Sequence, residues 1–262
     1  MSQTSGDSKA SASVLLNGLR VLEAFSQLQP VLGVTEIARE VGLHKSSVSR
    51  ILSTLEQAGY VERDEESGRF RLGLGLLALA GPLLADLDVR RVAHSALERL
   101  TRRTTETSAL MVWNAPDSIV VEQVPSPRQV KHTAAIGSRY ATAESASVQV
   151  FVAELSPGEV ERLLDGQLRD APRDSPSRQE YVAQLKQVRT QGYAVNDGRT
   201  SAEEVGVAAP VRDHRGDVVA AVLLSAPRFR VTRDILSELT RDVSEAAAEI
   251  SARLGHPTDA PA

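Results

Sequence analysis

Residues 35–63, TEIAREVGLHKSSVSRILSTLEQAGYVER, predict a helix, a tight turn, a second helix and the first strand of a hairpin. Ala38 is small enough for two helices to approach closely, and Gly42 has the backbone freedom that the turn requires. Val48 is expected to anchor the second helix in the core, beside Ile37 and Ile51. This spacing is typical of a helix-turn-helix, which places its second helix in the major groove of DNA.

The second helix is predicted to bury one face and to present a polar face of unusual composition. From Val48 onward, apolar residues recur at intervals of three and four, so one stripe faces the core. No acidic residue occurs between Val41 and Leu55. Hydroxyls and cations on the opposite face can donate to phosphates and base edges. The alternative is a solvated helix in a generic helical hairpin. The residues expected to contact DNA from this motif are Thr35, His44, Lys45, Ser46, Ser47, Ser49, Arg50 and Ser53.

A β-hairpin is predicted directly after this helix. Gly59 can cap the helix, and residues 64–68 form a polar turn. Residues 69–72 alternate charged and apolar side chains, as a half-buried strand does. Such a hairpin beside a recognition helix is a wing. Arg69 and Arg71 are expected to point away from the core and to reach phosphates or the minor groove. The alternative is a solvated hairpin with no role in binding.

Composition limits the class of protein. The chain has 262 residues, of which 42% are hydrophobic, so it can form two domains with real cores. Its net charge is -4, and residues 14–72 hold slightly more acidic than basic residues. The prediction of DNA binding therefore depends on where the charges lie rather than on their number. Aromatic residues make up only 3%, which disfavours stacking platforms for single-stranded nucleic acid.

Several classes of site are excluded or disfavoured. The absence of cysteine excludes disulfides, zinc fingers and iron–sulfur clusters and suits a cytoplasmic location. Neither a membrane span nor a signal peptide is expected. An enzyme would need a nucleophile with a base, paired carboxylates or metal ligands. No Gly-x-Ser-x-Gly motif and no histidine pair with ligand spacing occurs, so we expect no catalytic residue, metal or cofactor.

The predicted fold is a two-domain α/β protein. The first helix is expected over residues 13–28, with Leu15, Leu16, Leu19, Leu22 and Phe25 on its inner side. The segment after the wing is nearly all apolar and is expected to pack in a dimer. Residues 73–78 formally match a dinucleotide fingerprint, but no crossover unit surrounds them. The predicted segments are a disordered tail (1–12), the winged helix-turn-helix (13–73), a linker helix (74–87), an effector-binding and oligomerisation domain (88–254) and a flexible tail (255–262).

The second domain is expected to be an antiparallel sheet flanked by helices, a plan common in sensors of small molecules. Capping boxes beginning at Ser156 and Ser177 predict two helix starts. Residues 205–211 and 218–224 are apolar and β-branched, and they predict the central hairpin. Further strands are expected at residues 108–113, 119–124 and 130–133. Further helices are expected at residues 88–104, 144–155 and 232–254.

Residues 14–254 resemble the IclR family of bacterial transcription regulators. The resemblance is most specific in VTEIAREVGLHKSSVSRILSTLEQAGYVERDEESGRFRLG, residues 34–73, and in the leucine-rich segment that follows. Residues 206–211 and 216–221 resemble the family's central hairpin, and residues 137–139 look like the entrance to its effector pocket. The resemblance implies a GAF-like sensor domain and a dimer or dimer of dimers. It also implies a small-molecule effector that changes operator affinity.

The sequence departs from the family pattern at the pocket. Ala141, Thr142 and Ala143 stand where the family usually has Pro-Leu-His, and Val148 and Gln149 stand where it has Gly-Lys. The loss of His and Lys removes the obvious partners for a carboxylate effector. Ser145, Gln149 and backbone amides near Gly137 could still bind a carboxylate. The alternatives are an effector that is less acidic or bulkier, no effector at all, and a purely structural role for the helix. The residues expected to bind an effector are Gly137, Arg139, Ser145, Ala146, Gln149, Gly206, Ala208 and Ser225.

The sequence is thus interpreted as that of a DNA-binding regulator and not of an enzyme. Repression is expected because it is the commoner behaviour in the family that the sequence resembles. Its expected partners are double-stranded DNA with a pseudo-palindromic operator, a small-molecule effector and copies of itself. The alternative is a winged-helix adaptor between proteins, or an activator with a degenerate, ligand-free sensor domain. Few aromatic residues on the recognition face argue against the adaptor, because interface anchors are usually aromatic.

Overall fold

The computed structural model describes residues 5–26, 29–86, 88–133, 135–168, 170–172 and 175–257 of a chain that divides into two units, Met1–Asp86 and Leu87–Ala262. The predicted helix-turn-helix and wing are both present in the first unit. Its elements are α1 (Ser5–Glu23), α2 (Val34–Val41), α3 (Lys45–Gln57), β1 (Val61–Arg63), β2 (Phe70–Leu72) and α4 (Gly75–Asp86).

The core of the first unit confirms the roles predicted for Ala38, which is buried, and for Gly42 and Val48. Gly42 caps α2 in the left-handed region with φ 68°, and its amide donates to the carbonyl of Ala38. Val48 and Leu52 are fully buried on α3. They lie in one apolar cluster with Ile37 of α2, and this cluster also includes residues of both wing strands. The recognition helix is therefore held by its apolar stripe, and its polar face is left outward.

Helix α1 differs from its prediction at both ends. It begins at Ser5 and ends at Glu23, so a helix replaces the disordered tail expected for residues 5–12; residues 1–4 and 27–28 lie outside the described residues. Leu15 and Leu19 are exposed by 70% and 50%, and Leu16 is also exposed, so the inward orientation predicted for them is wrong. Among the described side chains of α1, only Val21 is fully buried, because the core of this small unit covers only the end of the helix.

The glycines that open α4 are explained by close backbone approach. The amides of Gly73 and Gly75 donate to the carbonyls of Tyr60 and Gly59 at 2.8 and 3.0 Å. A Cβ on either glycine would lie only 2.4 or 2.6 Å from the carbonyl oxygen of Gly59. These residues therefore dock the start of α4 on the end of the recognition helix, which accounts for them without a bound dinucleotide.

The second unit is built on one antiparallel sheet with strand order β5-β4-β3-β8-β7-β6. A short 3-10 helix, Arg228–Arg230, joins the last strand to the last helix. The helices and strands of the second unit are α5 (Asp88–Thr104), β3 (Thr107–Asn114), β4 (Asp117–Val124), β5 (Arg139–Tyr140), α6 (Ala146–Val152), α7 (Pro157–Leu164), α8 (Ser175–Gln191), β6 (Ala194–Asp197), β7 (Glu204–Arg212), β8 (Val218–Pro227) and α9 (Arg233–Arg253).

Helices cover both faces of this sheet. Helices α5 and α9 pack against one face, where side chains such as Leu110, Val207 and Val222 are buried. Helices α6, α7 and α8 pack against the other face, where Met111 and Ala208 are buried. The alternation of these residues along each strand follows the two-residue repeat of an extended chain. The predicted α+β architecture is therefore present, with a separate apolar core on each face.

Several predicted elements of the second unit need correction. Residues 130–133 do not form a strand, and the strands β5 and β6 were not expected. The capping box at Ser156 is confirmed, since Glu159 accepts a hydrogen bond from its amide at 2.9 Å. The box at Ser177 is wrong, because α8 already begins at Ser175. His256, placed in the flexible tail, donates its amide to the carbonyl of Ser251, so the chain stays tied to α9 at this point; residues 258–262 lie outside the described ranges.

A loop takes the place of the expected strand at residues 130–133. Arg230 donates two hydrogen bonds of 3.0 Å to the carbonyl of Val130 and a bidentate pair of 2.8 and 2.9 Å to Glu106. Lys131 donates to the carbonyl of Ser126. Because side chains donate to the carbonyls of Val130 and Ser126, the loop is held in place without pairing to a strand. No helix in the described ranges has both the length and the apolarity to cross a membrane.

Candidate DNA interface and effector site

The outer face of α3 is exposed and cationic. Lys45, Ser46, Ser49, Arg50 and Ser53 are all exposed along it. Ser47 is half-buried. Thr35 is exposed in the first turn of α2, and His44 is exposed at the start of α3. Among the described residues, neither Lys45 nor Arg50 makes an ion pair. Arg50 and the hydroxyls of Ser46, Ser49 and Ser53 thus lie opposite the buried stripe, and Lys45 lies at the N-terminal edge of this face.

The wing arginines both form ion pairs within the first unit. Arg69 pairs with Glu36 at 2.6 Å, and Arg71 pairs with Glu62 at 2.9 Å. Glu62 and Arg71 are directly opposite in the β1–β2 register, which brings their side chains together. Both arginines are partly exposed, but each already has a carboxylate of its own unit as a partner. The carboxylate partners were not predicted, but both side chains are partly exposed and point away from the core, as expected.

The tip of the wing is acidic. Asp64, Glu65 and Glu66 are all exposed there. The amide and the hydroxyl of Ser67 both donate to Asp64 Oδ1 at 2.7 Å. The hydroxyl and then the amide of Ser67 lower the pKa of Asp64 below its ordinary value. The turn is thus stabilised by an ionised carboxylate, and the tip carries negative charge at neutral pH.

A row of small polar residues crosses the sheet of the second unit beneath α6. Thr107, Ser225, Gly206 and Asn196 are consecutive partners on the strands β3, β8, β7 and β6, so they lie side by side on one face. We call these four residues the polar row. A Cβ built on Gly206 would lie 4.0 Å from the Cβ of Ala146 on α6. The row therefore lies directly against the start of this helix.

The two ends of the polar row are hydrogen-bonded, whereas its middle is not. Thr107 Oγ1 donates to the carbonyl of His132 at 2.6 Å, and Asn196 Oδ1 accepts from the amide of Arg199 at 2.9 Å. In the part of the chain that the structure describes, the buried Ser225 hydroxyl makes no hydrogen bond. The same holds for Gln149 Nε2, although Gln149 Oε1 accepts from Gln184 at 2.8 Å. On this side of the sheet, Gln149 Nε2 is therefore a buried donor without a partner, and the hydroxyl of the buried residue Ser225 is not used in a hydrogen bond within the described residues.

The two faces of the sheet differ in charge. The buried carboxylates of Glu106 and Glu122 are on the α5 and α9 side, where arginines pair with them at 2.8 Å. Asp242 of α9 is also buried and pairs with Arg103 at 3.2 Å. The α6 side instead buries uncharged polar residues, namely the polar row together with Ser118, Ser145, Ser147 and Gln149. A molecule bound on this side would meet mostly neutral hydrogen-bonding groups, and beside the start of α6 it would also meet the Glu144 carboxylate, whose buried Oε2 pairs with Arg199 at 2.9 Å.

The structure brings together most of the predicted effector residues but not all of them. Ser145, Ala146 and Gln149 are buried on or beside α6. Gly206, Ala208 and Ser225 are buried on the sheet face beneath it. Gly137 and Arg139 are exposed and lie at the opposite edge, where β4 and β3 separate strand β5 from Ser225. The predicted site therefore divides into a buried cluster and two edge residues.

Thr107 and Asn196 of the polar row were not among the predicted effector residues. Asn196 was missed because β6 has only four residues and includes Asn and Asp, which are uncommon in strands. Thr107 was missed because the strand was expected to begin one residue later, at Ser108. A search for small polar residues paired across the predicted strands would have found Thr107 only after the register was known.

Comparison with known proteins agrees with both units. The family model described as the IclR helix-turn-helix domain matches residues 14–65. The model described as bacterial transcriptional regulator IclR C-terminal matches residues 82–252. The HTH-type transcriptional regulator XynR of Escherichia coli is 30% identical over 91% of this chain and 96% of its own length. The transcriptional repressor IclR of Escherichia coli is 27% identical over 92% of this chain and 89% of its own length.

Solved structures show the same two-domain architecture. One is an IclR homolog from Microbacterium hydrocarbonoxydans in complex with 4-hydroxybenzoate. It is similar to this chain with a TM-score of 0.77 and 26% identity, covering 92% of this chain and 98% of its own. Members of this family are transcriptional regulators that bind DNA, not enzymes. With both family models matched in order along it, this chain belongs to the IclR family of bacterial transcriptional regulators.

Proposed function

We propose that this regulator represses transcription by inserting α3 into the major groove of a pseudo-palindromic operator. Lys45 and Arg50 would supply the charge, because they are the exposed cations of the outer face and are free of carboxylates among the described residues. The remaining contacts would come from Thr35, His44, Ser46, Ser47, Ser49 and Ser53. The unpaired cationic face of α3 is the observation that carries this proposal. Repression is proposed because a similar curated relative is a transcriptional repressor.

Arg50→Ala is expected to weaken operator binding by about 1–3 kcal/mol and to relax base preference at one position, since Arg binds guanine bidentately. The measurement is fluorescence anisotropy with a duplex that the wild-type protein has enriched from a random pool. Arg39→Ala is the matched control, because Arg39 is also exposed and without an ion pair in the described residues but lies on α2. Equal losses from both variants would refute a recognition role for the α3 face.

We also propose that two copies of the chain assemble through apolar residues of the first unit. Leu15 of α1 and Leu77 of α4 are exposed by 70% and 62%, and Leu19 and Leu79 are also exposed. Large apolar side chains exposed on two helices of one small unit are unusual unless a partner covers them. Two-fold symmetry would then match the two half-sites of the operator.

Light scattering at micromolar concentration is expected to give a mass at least twice that of one chain. Footprinting is expected to protect two half-sites on one face of the duplex, separated by about one helical turn. A monomer at these concentrations, or a footprint over one asymmetric site, would contradict the proposed assembly. Leu15→Glu with Leu19→Glu should give monomers, and Glu23→Gln on the same helix serves as the control.

We propose in addition that an uncharged, hydrogen-bonding effector binds between α6 and the polar row. Gln149 Nε2 is buried without a partner among the described residues, and a buried polar group without a partner is costly. Ser225 is also buried, and its hydroxyl makes no hydrogen bond within the described residues. The buried polar residues on this side are uncharged, and a buried charged atom beside the start of α6 is an oxygen of the Glu144 carboxylate, so the side suits an alcohol or amide better than a carboxylate. The 4-hydroxybenzoate complex concerns another member of the family at 26% identity.

Thermal-shift screening of neutral and anionic small molecules tests this site. Neutral polar compounds are expected to dominate the hits. Ser225→Ala and Gln149→Leu should each weaken a confirmed hit by about 1 kcal/mol, or about fivefold, while operator affinity without the hit is retained. Ser244→Ala is the control, because this serine lies on α9 and donates to its own helix at 2.8 Å. Unchanged ligand affinity in both test variants would place the effector elsewhere.

A further inference from the structure

We propose that Arg69 is a positioning residue that fixes the wing through Glu36, and that the wing makes no phosphate contact of its own. This inference rests on the proposed operator binding through α3. It assigns the wing a structural role beside the recognition helix. It also replaces the expectation that Arg69 and Arg71 reach the DNA.

The first support is the geometry around Glu36. One oxygen, Oε2, accepts from the amide of Gly33 at 2.7 Å and from Arg69 at 2.6 Å. The same guanidinium nitrogen of Arg69 donates to the carbonyl of Val31 at 3.2 Å. The amide of Gly33 and then Arg69 lower the pKa of Glu36 below its ordinary value. Arg69 thus binds both the first turn of α2 and the loop before it.

The second support is the backbone pairing beside these side chains. Leu32 and Phe70 exchange two hydrogen bonds of 2.9 and 2.8 Å, which add a bridge to the short strand β2. The hairpin has only three residues in each strand, and isolated two-stranded hairpins are marginal in water. The wing therefore depends on its attachment to the loop before α2. The pair of Arg69 and Glu36 secures this attachment at the residue directly before β2.

The third support is the charge of the wing. Arg71 is paired with Glu62 at 2.9 Å, and the guanidinium of Arg63 lies over the ring of Phe70, 5.8 Å from its centroid. The exposed tip carries Asp64, Glu65 and Glu66, and none of these acids makes an ion pair within the described residues. Duplex DNA carries one negative charge per phosphate, so an acidic tip opposes close approach. Of the wing cations, only Arg63 has no carboxylate partner in the described residues, and its guanidinium lies against the ring of Phe70; Lys45 and Arg50 of α3 have neither kind of partner there.

The salt dependence of operator binding distinguishes positioning from phosphate contact. Each phosphate contact contributes about 0.9 to the slope of log affinity against log salt concentration. Arg69→Ala is expected to weaken binding about two- to fivefold with an unchanged slope, as loss of an exposed ion pair predicts. Arg71→Ala should leave the slope unchanged as well. Lys45→Ala should reduce the slope by about one.

Glu36→Gln gives a second test, because positioning and phosphate contact predict changes of operator affinity in opposite directions. If Arg69 positions the wing, this variant weakens binding about as much as Arg69→Ala, and the double variant is no worse than either single one. If Arg69 contacted phosphate, removing its carboxylate partner would free the cation and strengthen binding. A reduced slope in Arg69→Ala, or tighter binding by Glu36→Gln, overturns the inference.

The controls separate this inference from the proposed function. If Lys45→Ala and Arg50→Ala leave operator affinity and slope unchanged, the proposed use of α3 fails. If those two behave as expected and Arg69→Ala loses about one unit of slope, only the positioning role of Arg69 fails. The full chain and the duplex enriched by the wild-type protein are used throughout. Thr54→Ala, on α3 but outside the proposed contacts, serves as the control for handling and folding.

Discussion

Glu106→Gln is expected to destabilise the second unit by about 3–5 kcal/mol, the range typical of removing one partner from a buried ion pair. Glu106 is 5% exposed, and Arg230 donates to both of its carboxylate oxygens, at 2.9 and 2.8 Å. The glutamine would leave the guanidinium of Arg230 largely buried without a compensating charge. Desolvation of that charge makes the loss much larger than for a pair at the surface.

The same change is expected to loosen the loop at residues 126–132. Arg230 also binds the carbonyl of Val130, so its orientation determines where the loop lies. Thr107, at one end of the polar row, donates to the carbonyl of His132 in the same segment. We therefore expect a stability effect at Glu106 to be accompanied by faster amide exchange in this loop. Exchange in α1–α3 should be unchanged, because these helices belong to the other unit.

Urea unfolding followed by tryptophan fluorescence measures this effect selectively. Trp113 is the single tryptophan of the chain, and its ring stacks on Phe151 with centroids 5.4 Å apart in the second unit. Glu249→Gln is the matched control, because the Arg99–Glu249 pair joins α5 to α9 but is well exposed. Exposed pairs contribute at most about 1 kcal/mol. Equal shifts of the unfolding midpoint for the two variants would contradict the prediction.

The elements predicted well from the sequence were those set by local spacing. Gly42 and Val48 define the helix-turn-helix within a few residues of each other, so no distant partner is needed. The capping box at Ser156 is similarly local, and its hydrogen bond to Glu159 spans one helical turn. The central hairpin followed from two apolar, β-branched runs joined by a short polar turn. Each of these features depends on contacts that the sequence itself places side by side.

The features missed were those set by distant partners. Arg69 looked free in the sequence, but its carboxylate partner, Glu36, lies 33 positions away. The β-propensity of residues 130–133 was overridden by Arg230, 100 positions further along the chain. Leu15 and Leu19 had the apolar character of core residues, although the core does not extend to their end of α1. An apolar side chain is expected to be buried, but its hydrophobicity does not show whether the core of its own unit or another surface covers it.

The candidate effector site was predictable only in part, for the same reason. Ser145 and Gln149 were found because the family resemblance singled out their segment. Asn196 is placed beside Gly206 by the register of β6 and β7, which single-strand patterns do not specify. Arg139 was grouped with the pocket on the same resemblance, yet it lies at the edge of the sheet. The neutral character of the α6 side became visible only when the two faces were compared.

Leu52→Ala is expected to destabilise the first unit by about 2–5 kcal/mol, the usual cost of truncating a buried leucine. Leu52 is fully buried on α3, beside Val48 and Ile37. A small domain has a limited total stability, so a loss of this size is a large share of it. The same helix carries Lys45 and Arg50. When its buried stripe is less well packed, these two side chains are no longer held in the positions that operator binding requires. Operator binding is therefore expected to fall much further than the contact surface alone would suggest.

Trp113 provides an internal control for this variant. Since Trp113 lies in the second unit, its unfolding midpoint should stay that of the wild type while helical circular dichroism is lost at a lower temperature. Thr54→Ala is the matched surface change on α3. Its hydroxyl donates only to the carbonyl of Arg50 in the same helix, at 3.1 Å, and exposed substitutions of this kind change stability by about 0.5 kcal/mol or less. Operator affinity retained in Leu52→Ala at 25 °C would show that the recognition face does not depend on this core. A shift of the Trp113 midpoint would show that the two units do not unfold independently.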